Sequence, residues 1–342
     1  MRFRPLGGSG ALVTEFCLGT MTFGTETDEQ EAHRVLDEFV DAGGNFIDTA
    51  DVYSDGASEE IIGSWLARRG RTDDLVIATK VRFSMGDNPN QQGLSARWIK
   101  HEVENSLRRL RLDHVDLYQA HCWDPLTPLE ETLAAFDDLV HAGKVRYVGA
   151  SNFMGWQLQR AALLTRMHGW PRIVTLQPQY NLLAREIEWE LVPVCLEEGI
   201  GLLPWSPLGG GWLSGKYRPD ERPTGATRLG DDPNRGVEAY DKRNTERTWR
   251  ILGEVERIAR DRGSGMTFAH VALNWLRRRP AMTSVILGVR NLAQLRENLG
   301  ALEWELTDEE VRALDEVSDP GSPYPKAFID EASERRRAAL NG

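Results

Sequence analysis

Eight short β-rich runs recur along this chain, and a longer segment of helical period follows most of them. No other feature limits the possible folds as tightly. The runs are "FCLGTM", "NFIDTA", "LVIATKV", "VDLYQAH", "VRYVGAS", "IVTLQPQ", "IGLLPWS" and "SVILGV". Between them lie amphipathic stretches such as "DEQEAHRVLDEFVDAG", "SARWIKHEVENSLRRL", "PLEETLAAFDDLVHAGK" and "TERTWRILGEVERIARDRG". Several of these open on a capping residue and close on Gly or a basic residue. Eight strand–helix repeats in 342 residues fit a (β/α)8 TIM barrel. An open doubly wound sheet would carry fewer units and an early dinucleotide fingerprint, and no GxGxxG follows the first run. The expectation is one domain over 1–342, opened by a small β-hairpin within "RFRPLGGSGALVTEF".

Composition then removes whole classes of partner. A formal net charge of −11 argues against nucleic acid and anionic membranes, whose phosphates are held by clustered Lys and Arg. No run approaches the roughly 18 apolar residues of a membrane span, and the N-terminus lacks a secretory pattern. Cys17, Cys122 and Cys195 are odd in number, widely spaced and without a metal-ligand pattern, which suggests reduced thiols and a cytoplasmic setting. The basic end "SERRRAAL" reads as a solvated helical tail. After the seventh run, the polar stretch of 218–243 has no useful period and reads as a functional lid or flexible loop. Oligomeric state leaves no mark in the sequence.

In a barrel of this kind chemistry gathers where strands end at the C-terminal mouth. The second run delivers Asp48, with Tyr53 in the turn beyond; the third ends at Lys80; the fourth ends at His121. Period-two alternation places Val76, Ala78 and Lys80 on one side of their strand, and Leu117, Gln119 and His121 on one side of theirs. Both polar ends therefore face the barrel axis. Singly, each residue has an ordinary explanation as cap, snorkelling end, core histidine or packed aromatic. Four at three successive strand ends are better explained as a site. A phenol is a weak acid, and a neighbouring ammonium is expected to lower its pKa. Asp48 would hold and balance Lys80, while a neutral His121 would orient a carbonyl oxygen. The set is a proton donor for a developing alkoxide, which suits carbonyl reduction. No side chain supplies a hydride, so a nicotinamide or flavin is required.

These residues resemble the aldo-keto reductase family, in its bacterial and channel-β-subunit-like branches. "DTADVY", "ATK" and "QAH" are similar to the family's catalytic tetrad in the same chain order, and the resemblance runs from the hairpin to about Asp319. It implies Tyr53 as general acid, Lys80 as its neighbour, Asp48 as the lysine's partner and His121 as the carbonyl-orienting group. It also implies NADPH. Gly19, Thr20, Met21, Asp48, Ser151, Asn152 and Gln177 match positions around the nicotinamide, and Trp205 matches the aromatic stacked on it. The Gly-rich run from Ser206 through Pro207, Leu208, Gly209 and Gly211 to Lys216 matches the pyrophosphate loop. Gly288, Arg290, Gln294, Glu297 and Asn298 match the adenosine site, with Arg290 suited to a 2′-phosphate. Gly288 stands where the branch acting on monomeric sugars and steroids has lysine.

For the small-molecule carbonyl substrate, Phe23, Phe83 and Trp123 lie beyond strand ends and are expected, with Tyr53 and His121, to wall the pocket, and Tyr324 or Phe328 to reach over it. A free aldehyde or ketone and a keto-sugar fit equally. The competing functional reading is a nicotinamide-binding redox-sensing subunit with little turnover. A metal-dependent hydrolase is disfavoured because Lys80 would repel the ion.

Overall fold

A computed structural model describes residues 1–225, 228–232, 236–263 and 265–340. The hairpin forms as the sequence suggests, with β1 (Phe3–Pro5) antiparallel to β2 (Leu12–Thr14). Eight parallel strands follow: β3 (Phe16–Gly19), β4 (Phe46–Asp48), β5 (Val76–Val81), β6 (Val115–Ala120), β7 (Val145–Ser151), β8 (Ile173–Gln177), β9 (Gly201–Leu202) and β10 (Val285–Gly288). Their order is β10-β3-β4-β5-β6-β7-β8-β9. The ring closes through short contacts between its ends, the N–H of Thr283 to the oxygen of Leu202 (3.0 Å) and that of Ile286 to Pro204 (3.1 Å). The architecture is a (β/α)8 barrel.

Helices α1 (Glu29–Asp41), α2 (Ala57–Arg69), α3 (Ala96–Leu110), α4 (Leu129–His141) and α5 (Gly155–His168) cover the first half of the ring. Their starts follow local chemistry: the side chains of Asp28 and Ser95 accept from the N–H groups of Glu31 and Trp98, satisfying donors that a helix end leaves open. Two apolar layers result. The outer one lies between strands and helices. The inner one fills the barrel with Cys17, Phe46, Ala78, Leu117, Val174, Leu203 and Ile286, and the hairpin's Leu6 and Val13 join it from below. The hairpin is thus a plug over the face opposite the catalytic mouth. Gly7 permits it, since a Cβ there would stand 1.8 Å from the oxygen of Val174.

The 218–243 stretch is partly helical, at Arg228–Asp231 and Tyr240–Arg243, and 226–227 and 233–235 lie outside the described residues. Buried Glu238 fastens it to the mouth. Gln179 and Arg243 (2.9 Å) donate to the Glu238 carboxylate, and Trp212 Nε1 donates to its backbone oxygen (3.0 Å). The C-terminal helix Lys326–Leu340 lies along the surface. Tyr324 and Phe328, expected over the pocket, are 85% and 66% exposed.

One glycine holds two helices at the site's outer wall. A Cβ on Gly63 of α2 would come 2.1 Å from the backbone oxygen of Arg109 in α3, and backbone cannot yield cheaply. Gly63→Ala should lower stability by about 1–3 kcal/mol, read as an earlier urea midpoint.

Candidate active site

The carboxylate, amine and phenol expected to meet do so at the mouth. Lys80 Nζ donates to Asp48 Oδ2 (2.6 Å), to the backbone oxygen of Thr49 (2.8 Å) and to Tyr53 Oη (3.2 Å). Lys80 is wholly buried and Asp48 nearly so. Alternation explains the convergence: Ala78 and Leu117 sit in the inner core, so Lys80 and Gln119, two residues further on, also point inward. Asp48 Oδ1 then accepts from Gln119 Nε2 (3.1 Å) and Gln177 Nε2 (2.9 Å). Both carboxylate oxygens are satisfied, as a buried charge requires.

The electrostatics differ from the sequence expectation at one point. Burial alone would lower the Lys80 amine, but Asp48, with Tyr53, lifts it to about 12, so it is an ammonium throughout the physiological range. Burial pushes the Tyr53 phenol above its ordinary value of 10.0; Lys80 pulls it down without overcoming that effect, and Asp48 adds to the rise. The expected net lowering does not occur in this state, because the cost of burying a phenolate outweighs the pull of the ammonium, which Asp48 further offsets. Tyr53 holds its proton and stands ready as a donor. Burial, then Lys80 and Arg82, hold the His121 imidazole well below 6.5, so it is neutral as anticipated. Its Nδ1 is buried with no hydrogen-bond partner among the described residues. The His121 ring stands edge-on to Tyr53 (centroids 5.7 Å apart) and to Phe83 (4.7 Å).

Of the other expected pocket walls, Trp123 sits half-buried at the mouth against Phe153 (5.3 Å) and Trp156 (5.6 Å). Phe23 does not reach it. Its ring is fully buried in the outer core, and its backbone oxygen accepts from Ser54 Oγ (2.6 Å). Phe153 and Trp156 escape a sequence reading that takes only polar groups from their strand's end.

On the cofactor side, several assigned residues hold one another. Ser151 Oγ donates to the oxygen of Gln177 (2.7 Å), Asn152 Nδ2 to the oxygen of His121 (3.0 Å), and Trp205 Nε1 to Asn152 Oδ1 (3.1 Å). Asn152 and Ser206 adopt left-handed backbone (φ 52° and 51°), strain of a kind that concentrates at working sites. Thr20 turns away, its hydroxyl committed to the backbone oxygen of Asp48 (3.0 Å), and Gly19 is needed because a Cβ would stand 2.6 Å from Ile286. Met21 is partly exposed beside them. Gln177, expected to hold a carboxamide, has its amide nitrogen on Asp48. Gln119 is the positioning group that sequence reasoning passed over; its inward facing was the available signal.

The loop from Ser206 to Lys216 carries left-handed glycines at Gly209, Gly210 and Gly211, a backbone that side chains would obstruct; Pro207 is buried beneath it and Leu208 half-buried. Lys216 is exposed, its amine lying where a Gly211 Cβ would come within 2.7 Å. Further round, Gly288 is exposed, and a Cβ there would meet nothing within 4 Å, so a ligand can approach the backbone. Arg290 pairs with Glu26 (2.5 Å), and its N–H is held by Gln294 Oε1 (2.9 Å). Glu297 is exposed with its backbone oxygen on His270, and Asn298 is buried in the same helix, Leu292–Leu299. Open glycine backbone, an arginine and an amide-rich mouth fit the phosphates and carboxamide of a nicotinamide dinucleotide.

Comparison with known proteins bears on this geometry. The model of the Aldo/keto reductase family matches residues 15–319. An uncharacterized oxidoreductase, YrpG, of Bacillus subtilis is 38% identical over 96% of this chain and 99% of its own length. Protein tas of Escherichia coli is 34% identical over 93% of this chain and 97% of its own. An aryl-alcohol dehydrogenase [NADP(+)] of Phanerodontia chrysosporium is 30% identical over 97% and 90%.

Breaking the central ion pair should be costly. Lys80→Met leaves Asp48 without its cation in a site it cannot leave, and should destabilise by about 3–5 kcal/mol in urea denaturation, whereas Tyr53→Phe should change stability by less than about 1 kcal/mol.

Proposed function

Because the chain belongs to the aldo/keto reductase family, we propose that it reduces an aldehyde or ketone to an alcohol with NADPH, Tyr53 supplying the proton. One observation carries this reading: a fully buried Lys80 touches both Asp48 and the hydroxyl of Tyr53. An ammonium so placed stabilises phenolate, so its value is greatest once Tyr53 has given up its proton.

The roles follow from the contacts. Asp48 holds Lys80, and Gln119 and Gln177 hold Asp48, so the ammonium needs no rearrangement as charge develops. His121, neutral and standing edge-on to Tyr53, is placed to bond the carbonyl oxygen and steer it toward the phenol. Bound NADPH supplies the hydride, which no side chain can. Ser151, Asn152 and Trp205 form a linked wall suited to the nicotinamide, the loop from Ser206 to Lys216 suits the pyrophosphate, and Arg290 with Gln294 suits the 2′-phosphate.

Phe83, edge-on to His121, and half-buried Trp123 make the mouth aromatic. This lining supports an aryl-substituted aldehyde or ketone over a keto-sugar, whose hydroxyls would find few partners there. The name of the Phanerodontia relative is in keeping with that substrate class.

Two measurements test the reading. Tyr53→Phe should cost at least about 10²-fold in turnover with an aromatic aldehyde while the NADPH Kd, followed by fluorescence quenching, stays put; near-normal turnover removes Tyr53 from its role. Arg290→Ala should weaken NADPH by roughly tenfold or more and leave NADH nearly unchanged, since only NADPH carries the 2′-phosphate; equal loss for both refutes the assignment.

A further inference from the structure

One acid in the motif between Asn45 and Tyr53 has no part in this chemistry. Asp51 is fully buried in the turn that presents the phenol, and its N–H donates to the backbone oxygen of Lys80 (3.2 Å). The charged and titratable groups facing it come from three elements: Glu59 of α2, Glu102 and Arg109 of α3, and Tyr118 of β6. Its charge also reaches Tyr53, two residues on.

Charge does not balance in this outer layer. Asp51, Glu59 and Glu102 are three buried carboxyls, and Arg109 pairs with the two glutamates. Both glutamates are well supplied. Glu59 accepts from Arg109 Nε (2.6 Å) and Thr79 Oγ1 (2.5 Å), and Glu102 from Arg109 Nη2 (2.5 Å) and Asn105 Nδ2 (2.7 Å). Asp51 is not. Its Oδ1 accepts the N–H of Val52 (2.7 Å), while its Oδ2 is buried with no partner among the described residues. A lone charged oxygen there would be desolvated and repelled by both glutamates, a cost that a proton removes.

We propose that Asp51 is a buried neutral acid, a positioning residue whose protonated carboxyl holds the turn that presents Tyr53. Burial, then Glu59 and Glu102, push its carboxyl well above the ordinary 3.8, in keeping with that state. The turn needs such support. Ser54 and Asp55 both take left-handed backbone (φ 53°), and Tyr53 is tied back by its N–H to the oxygen of Ala50 (3.2 Å). Ionised Asp51 would be repelled by both glutamates and would add a charge that makes Tyr53 a poorer acid.

The sign of the linkage gives the test. The folded carboxyl keeps a proton that the unfolded chain releases above about 3.8, so Asp51 costs the native protein stability as pH rises past that value. Asp51→Asn releases no proton in either state and keeps a donor at the same position. Its urea midpoint should gain on the wild type as pH rises from about 4 to about 8; a difference that stays constant or shrinks overturns the proposal. Turnover of the Asn variant near neutral pH should stay within about threefold, while Asp51→Ala should lose roughly tenfold or more in kcat with the NADPH Kd unchanged. Equal loss in both variants also overturns it. The turnover arm rests on the reductase reading and the denaturation arm does not, so inactivity in every variant with the pH-dependent gain intact would fault that reading and leave Asp51 as assigned.

Discussion

The ion pair between Lys80 and Asp48 sets the terms for everything around it. Moving both charges out of water is expensive, and their attraction offsets the cost only if the remaining hydrogen-bonding capacity is satisfied. The barrel meets that requirement from separate strands. Asp48 comes from β4, Lys80 from β5, Gln119 from β6 and Gln177 from β8, so one carboxylate is gripped across half the ring. Tyr53 is drawn in as the third contact of the ammonium. A slip of one residue in any of these strands would turn its polar end outward and leave Asp48 short of a partner.

That dependence explains why much of the fold, and the meeting of Asp48, Tyr53 and Lys80, could be read from sequence. Strand and helix periods are local properties, and the period of two that sends Ala78 and Leu117 inward also fixes Lys80 and Gln119. Capping residues such as Asp28 and Ser95 mark helix starts for equally local reasons. What stayed hidden depends on packing between distant segments. Phe23 lies near a strand end as Phe83 does, yet the outer core takes one and His121 the other. Glu26 meets Arg290 across most of the chain, and nothing near either residue announces the partner.

The sign of the Tyr53 shift was hidden for a different reason. Proximity to an ammonium is legible as a motif, but the balance between that pull and the cost of burying a phenolate depends on how completely water is excluded. In the present state exclusion wins and the phenol stays protonated. A reducing enzyme gains from this arrangement. In the proposed reduction the proton is retained until an alkoxide develops beside it, and the ammonium then stabilises the phenolate left behind.

Two acids three residues apart thus meet opposite fates on the two sides of one sheet. Asp48 faces the barrel interior, where Lys80 and two amides occupy both of its oxygens. Asp51 lies in the outer layer, where Arg109 already serves Glu59 and Glu102, and a proton is the cheaper way to balance it. The separation protects the chemistry. Were both acids ionised, the two carboxylates would raise the phenol together, and the ammonium would be divided between them. The same turn therefore places Tyr53 beside one charged carboxylate and beside another that is kept neutral. On the proposed reading, that asymmetry keeps a second negative charge away from the phenol that is to give up its proton.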